Sequence, residues 1–231
     1  AWSGRLRQSL RMLLQYAEAL CAKRLVLASA SPRRREILGN LGLKFEVVVS
    51  KFDEDLDKSQ FPSAADYAKA TATHKALEVA LRLEKAEDGA KRPFMVLGSD
   101  TVVEAPDGTI MEKPADEEAA MRMLLSLQGV THQVHSGVGI VFPDPARTDG
   151  ALVKSFSETT RVTFAPLQEA EIRAYIKTGE PFDKAGGYGI QGPAGAFVSS
   201  ITGCYFNVMG FPAHKFASKL LTMIEEGEVK L

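Results

Sequence analysis

The chain has 231 residues, 45% apolar and 25% charged, with 28 Lys+Arg against 29 Asp+Glu and a formal charge of −1. This balance excludes a general nucleic-acid binder and a like-charge disordered tail, and the apolar runs are far too short to span a bilayer. What remains is a neutral, soluble protein in which charge-dependent chemistry must come from a local cluster, and the length fits one large α/β domain or two small ones.

Residues 5–22 place Leu6, Leu10, Leu13, Leu14, Ala17 and Leu20 at roughly helical spacing, with Arg5, Arg7 and Arg11 and one acid, Glu18. An Arg-rich, acid-poor amphipathic start resembles an organellar transit peptide. The preferred reading is an extra helix packed on the domain, because no cleavage signal is evident. Cys21 and Cys204 read as reduced thiols of an intracellular protein rather than as a disulfide framework.

The chain then alternates strands and helices. Arg24 to Ser29 reads as a short buried strand, and Pro32 sits where a helix begins. Phe45 to Val49 is a second strand, followed by the acidic loop Asp53-Glu54-Asp55. Ser63 to Arg82 is a long Ala-rich helix, and Phe94 to Ser99 a third strand ending at Asp100. Asp107-Gly108 makes a hairpin turn returning through Ile110, and Asp116 to Leu127 is a helix with an acidic first turn. Two long strands follow, Gln133 to Phe142 and Lys154 to Phe164. The remainder is a helix from Leu167 to Lys177, a Gly-rich stretch from Gly186 to Gly195, a strand from Phe197 to Ile201 and a closing helix from Pro212 to Glu226. This order predicts a long mixed sheet with helices on both faces.

Four constellations could carry chemistry. In Ser29-Ala30-Ser31-Pro32-Arg33-Arg34-Arg35 a buried strand delivers the chain to a helix start, where free N–H groups, hydroxyls and guanidinium groups suit phosphate oxygens. The plainer reading is a Ser N-cap with solvated arginines. Asp100, followed by Thr101, lies where α/β sheets place ligands, or is simply a turn residue. Lys113 precedes Pro114, so its backbone is extended and its charge can aim at a cleft; most lysines are merely solvated. The segment Gly187 to Gly192 spells GxGxxG but lacks the strand before and the helix after that a dinucleotide site needs. Its glycines permit close backbone approach, and the Gln191 amide could read a base edge. Together the donors Arg33, Arg34, Lys113 and Lys184 outnumber the carboxylates Glu54 and Asp100, which could hold a divalent cation. His132 and His135 form HxxH in a strand context, which puts them on opposite faces; surface or strand histidines are the better reading.

SASPRR at 29–34, GSDT at 98–101, EKP at 112–114 and GEPFDKAGGYGIQG at 179–192 resemble the Maf family in order and spacing. The similarity covers roughly residues 23–226, so residues 1–22 are read as an N-terminal helical extension and 23–231 as the Maf-like domain. The resemblance implies a nucleoside triphosphate pyrophosphatase that needs Mg²⁺ or Mn²⁺. It also implies a fold similar to the inosine triphosphate pyrophosphatases, with a long twisted mixed sheet and two lobes around a central cleft. By motif, Asp100 is the catalytic carboxylate and, with Glu54, a metal ligand, while Ser29, Arg33 and Arg34 form the phosphate loop and Lys75 and Lys113 are the family's lysines. Arg33, Thr101 and Gln191 fall on the branch acting on dTTP and UTP rather than on methylated GTP, with Thr101 and Gln191 expected to contact the pyrimidine. A nucleotide substrate, a homodimer, a cytoplasmic setting and no nucleic acid or membrane partner complete the expectation. The alternatives are a nucleotide-binding regulator of cell division or septum formation, and a purine-directed pyrophosphatase acting on ITP or XTP.

Overall fold

The computed structural model describes residues 12–86, 92–144 and 146–231. Arg5, Arg7 and Arg11 of the expected N-terminal helix lie outside these residues. From Leu13 the chain makes a 3₁₀ turn, Leu13–Tyr16, and a short helix α1, Ala17–Cys21. Leu13 and Leu20 are buried in the same core as Leu43, Phe216 and Leu220, so this part is packed on the domain.

Strand β1 (Leu25–Leu27) leads into α2 (Pro32–Asn40), β2 (Glu46–Val47), the long helix α3 (Ala64–Ala86) and β3 (Met95–Glu104). A hairpin with Gly108 at φ +85° returns as β4 (Ile110–Met111), then α4 (Glu117–Leu127) follows, its N-cap Asp116 accepting from the Ala119 N–H. The long antiparallel pair β5 (Thr131–Pro143) and β6 (Ala151–Phe164) precedes α5 (Glu169–Ile176), β7 (Val198–Thr202), α6 (Tyr205–Met209) and α7 (Ala213–Glu225). One sheet runs β2-β1-β3-β5-β6-β7, with β4 beside the far end of β3. β1 is parallel to both β2 and β3, and the remaining pairs are antiparallel. The expected α/β architecture, a mixed sheet flanked by helices, is the one observed.

Three details differ from the sequence reading. β3 does not end at Asp100 but continues through Thr101-Val102-Val103 to Glu104, because β-branched residues fit the pleated surface and β5 supplies ladder partners along that stretch. β2 is only two residues long. Helix α6 was not anticipated: five residues carry too little periodicity to read, and it exists because tertiary bonds hold it.

Helix α3 covers one face of the sheet at close range. A Cβ on Gly98 would lie 2.1 Å from the Ala72 carbonyl oxygen, and one on Gly137 would lie 2.1 Å from that of Ala68. Only glycine lets helix and sheet backbones approach this far. Ala68, Thr71, Ala72, Lys75, Ala76 and Val79 are the buried face of α3, so Lys75 points at the sheet among small side chains.

The opposite face carries two cores. One packs α2 and α7 on β1, β3 and the Val138–Phe142 part of β5; the other packs α4, α5 and the Gly-rich segment on Val103, Val134, Val162 and Phe164. Because β3, β5 and β6 run through both, the lobes share their strands, and a cleft lies between them. β1 pairs with β3 only as far as Leu97, and β4 takes up β3 again at Val103. The β3 edge from Gly98 to Val102 therefore has no strand on that side, and the sheet opens beside the loop that leaves β1. This is the point where the parallel order reverses around β1, a usual ligand position in α/β sheets.

Candidate active site

The cleft is a cavity of about 990 Å³ lined by Ser29, Arg33, Arg34, Glu54, Lys75, Asp100, Thr101, Lys113, Lys184 and Gln191, all of them cleft residues singled out from sequence. They come from five parts of the chain: the β1–α2 turn, the loop after β2, α3, β3 with its β4 return, and the Gly-rich segment.

Ser31, rather than Ser29, is the N-cap of α2, accepting from the Arg34 N–H at 3.4 Å. Ser29 has another task. Its Oγ accepts from Arg34 Nη1 at 3.0 Å and from the Ser31 N–H at 3.3 Å, which leaves its own proton for an acceptor. Arg34 also donates from Nε to the Gly210 carbonyl at 2.9 Å and from Nη2 to Thr101 Oγ1 at 3.2 Å. All three acceptors are neutral, so the guanidinium is fixed in place without being neutralised, and two of its five N–H groups remain. Burial pulls its pKa below the usual arginine value, a tendency opposed by Asp100 and Glu54.

Thr101 Oγ1 also lies 2.9 Å from Ser136 Oγ and 3.3 Å from the Gly210 carbonyl. Its hydroxyl is therefore committed to holding Arg34, which bears on the expectation that it contacts a base. Gly210 sits at φ +115°, where a side chain would strain the turn after α6. Its role was invisible in the sequence because the carbonyl, not a side chain, does the holding.

Across the cleft, Lys75 Nζ donates to Glu54 Oε2 at 2.6 Å and to Asp100 Oδ1 at 2.8 Å. The Lys75 and Asp100 side chains are each 10% exposed. Burial raises the Asp100 carboxyl above its usual range, with Lys75 and Arg34 opposing the rise. Lys113 and Gln191 reach the cleft with no hydrogen-bond or ion-pair partner among the described residues, so both are available to a ligand.

The balance of charge corrects the sequence reading that donors outnumber carboxylates. Five cations line the cavity, Arg33, Arg34, Lys75, Lys113 and Lys184, and so do five carboxylates, Glu54, Asp100, Glu112, Glu180 and Asp183. Three of the carboxylates were missed because their motifs were read for lysine and glycine. Asp183 accepts from Arg33 at 3.2 Å and from Lys184 at 2.6 Å, Glu180 lies 3.8 Å from Lys184, and Glu112 pairs with Lys58 at 2.6 Å. Arg34 and Lys113 are left as lining cations without an ion pair among the described residues, and the cleft thus suits an anion through selective pairing rather than net charge. Of the two readings open for the histidines, surface or strand, the structure selects the second. His132 and His135 are strand residues but not surface ones, at 1% and 4% exposed, bonded to Tyr188 and to Glu104 with Thr159.

Glu54 and Asp100 can be tested as ligands for the implied divalent cation. No cluster of three or more His, Cys, Asp or Glu that could hold a metal occurs among the described residues. Mg²⁺, however, is commonly held by one or two carboxylates, completed by water and substrate phosphate oxygens. Two carboxylates converging on one cationic centre beside a phosphate-suited cleft fit that pattern.

Residues 24–223 match the Maf-like protein family. The chain belongs to this family. It is 48% identical over 207 residues to a human protein named probable bifunctional dTTP/UTP pyrophosphatase/methyltransferase protein, with 88% of this chain and 32% of that protein covered. The chain thus spans about a third of the length of that relative. Proteins named dTTP/UTP pyrophosphatase are 44% identical in Clostridium perfringens and 42% identical in Desulforamulus reducens, covering 85% of this chain and 95% and 94% of theirs. Among solved structures, a HAM1 protein from Coxiella burnetii overlays with TM-score 0.44 and 12% identity, covering 87% of this chain and 99% of that one.

Proposed function

We propose that this Maf-like chain is a nucleoside triphosphate pyrophosphatase that hydrolyses dTTP and UTP to the monophosphate and pyrophosphate. The observation that carries the reading is the Lys75-bridged pair Glu54 and Asp100 in one cleft with Arg34 and Lys113, whose charges have no carboxylate partner among the described residues. The names of the bacterial relatives, matched over nearly their whole length, support the substrate class.

In this reading the triphosphate lies against the β1–α2 turn. The two remaining N–H groups of Arg34, the Ser29 hydroxyl and Lys113 meet its oxygens and offset charge developing on the leaving pyrophosphate. Water adds to the α-phosphorus and the bond to the bridging oxygen breaks, releasing pyrophosphate. Asp100 orients that water and takes its proton, a role helped by a carboxyl held above the ordinary range by burial. Glu54 and Asp100 would hold the divalent cation, which when bound acidifies water and screens phosphate charge. Gln191, on the turn closed by the Gly192 N–H to the Gly189 carbonyl, offers its amide to the pyrimidine edge, and Arg33 and Thr101 set the shape around it.

Residues 23–231 are taken as the catalytic domain, with the first 22 residues as an extension. The homodimer and the cytoplasmic setting belong to the same reading; light scattering tests the first. No helix among the described residues is long and apolar enough to cross a membrane. The deciding experiment is a nucleotide panel with Mg²⁺ that follows pyrophosphate release. Preferential release from dTTP and UTP supports the proposal, release only from ITP or XTP replaces its substrate, and no release from any nucleotide overturns it.

A further inference from the structure

We propose that Glu112 is a positioning residue that fixes the acidic loop, and with it Glu54, over the cleft. Glu112 directly follows the short strand β4, and it bonds to three other parts of the chain. Its Oε2 accepts from Lys58 Nζ at 2.6 Å, its Oε1 accepts from the Tyr67 hydroxyl at 2.8 Å, and its carbonyl accepts from the Gly186 N–H at 3.0 Å.

Each partner leads to a cleft residue. Lys58 closes the segment that begins at Lys51 and contains Glu54. Tyr67 lies two turns before Lys75 on α3, Gly186 opens the stretch that ends at Gln191, and Lys113 is the next residue in the chain.

The Lys58 contact is the one that matters for Glu54. The start of the acidic segment is tied to α3, with the Lys51 N–H and Ser50 Oγ donating to Glu78. Its end is tied by Lys58, which also lies over the Tyr67 ring at 5.6 Å from the centroid. Between these ends, among the described residues, Asp53, Glu54 and Asp55 make one side-chain hydrogen bond, that of Glu54 to Lys75. Glu54 is itself 47% exposed, so little packing holds it. Phe52, stacked on His74, and Leu56, packed against the Tyr67 cluster, anchor the segment to α3 on either side of Glu54, and Glu112 supplies the tether that ties its end to the β4 side of the cleft. Tyr67 is 1% exposed and its pKa is raised first by burial and then by Glu112, so it remains a donor and holds the carboxylate in place.

The test is a double-mutant cycle with Glu112→Gln and Lys58→Met. Glu112→Gln keeps the volume and an acceptor for Tyr67 while removing the charge that binds Lys58. The first readout is limited trypsin digestion at the Lys51 bond, and also at the Lys58 bond in Glu112→Gln, which needs no activity. Both variants are expected to be cut about tenfold faster than wild type at an unchanged Tm, because an open segment is cut according to its population. The second readout rests on the proposed pyrophosphatase reading. Each single variant should lose about tenfold to a hundredfold in kcat/KM, the scale of a small misplacement of a working group, and the double variant no more than either. Unchanged digestion, or additive losses in the cycle, would overturn the proposal. If the wild type hydrolyses no triphosphate, the functional reading fails, while digestion still decides the role of Glu112.

Discussion

Lys75 and Asp100 face each other 2.8 Å apart between α3 and β3, each side chain 10% exposed, and the same ammonium holds Glu54 at 2.6 Å. An ion pair at this depth is sensitive to losing one partner, because the survivor is left as an uncompensated buried charge. The two halves of the contact therefore separate function from stability.

Asp100→Asn keeps an acceptor for Lys75, which also keeps Glu54. Hydrolysis of dTTP should fall by about 10²–10⁴-fold, while stability in urea changes by less than about 1 kcal/mol. Lys75→Met leaves two carboxylates together and should cost on the order of 3 kcal/mol. An Asp100→Asn enzyme that releases pyrophosphate at the wild-type rate would show that Asp100 is not the working carboxylate.

Arg34 is held by the Gly210 carbonyl, Ser29 Oγ and Thr101 Oγ1, a fork that a lysine cannot reproduce. Arg34→Lys keeps the charge and loses the fixed donors, so KM for dTTP should rise about tenfold to a hundredfold. Steady-state kinetics give the answer, and an unchanged KM removes Arg34 from phosphate binding.

Gln191 lines the cleft with its amide unpartnered among the described residues. Gln191→Glu removes the donor and adds a negative charge. The kcat/KM ratio between dTTP and a purine triphosphate should shift by about tenfold, with less effect on inhibition by pyrophosphate. An unchanged substrate profile assigns base selection elsewhere.

His132 is 1% exposed and its Nδ1 has no partner among the described residues, and burial pushes its pKa down to about 4 from 6.5. The unfolded chain binds a proton at this residue near pH 6.5, whereas the folded chain does so only near pH 4. The stabilising effect of a neutral His132 is therefore complete above the unfolded pKa and declines as pH falls toward the folded one. Between pH 7.5 and pH 5 the wild type should lose about 2 kcal/mol more unfolding free energy than His132→Gln. Parallel urea titrations at the two pH values measure this, and equal losses would mean that His132 is not the acid-sensitive group.

The site was readable where chemistry sits in side chains of local motifs. Ser29-Arg34, Asp100-Thr101, Lys113 and Gln191 stood out because a strand, turn or helix start places them together within a few residues, and the structure gathers all of them in one cavity. Glu54 stood out only as part of an acidic loop, and Lys75 carried no local signal and came only from the family resemblance. A lysine in an Ala-rich helix shows its burial only once Gly98 and Gly137 let α3 down onto the sheet.

By itself the sequence determined the alternation of strands and helices, because the periodicity of apolar residues and the turn residues are local properties of the chain. It also determined the membership in the Maf-like family and the set of charged and hydroxyl residues that the cleft gathers. The tertiary structure alone decided which charges remain free. Pairing depends on side chains that meet across distant segments, as in Arg33 with Asp183 or Lys58 with Glu112. It likewise decided that β3 runs past Asp100, since the edge left open between β1 and β4 exists only when the whole sheet is assembled.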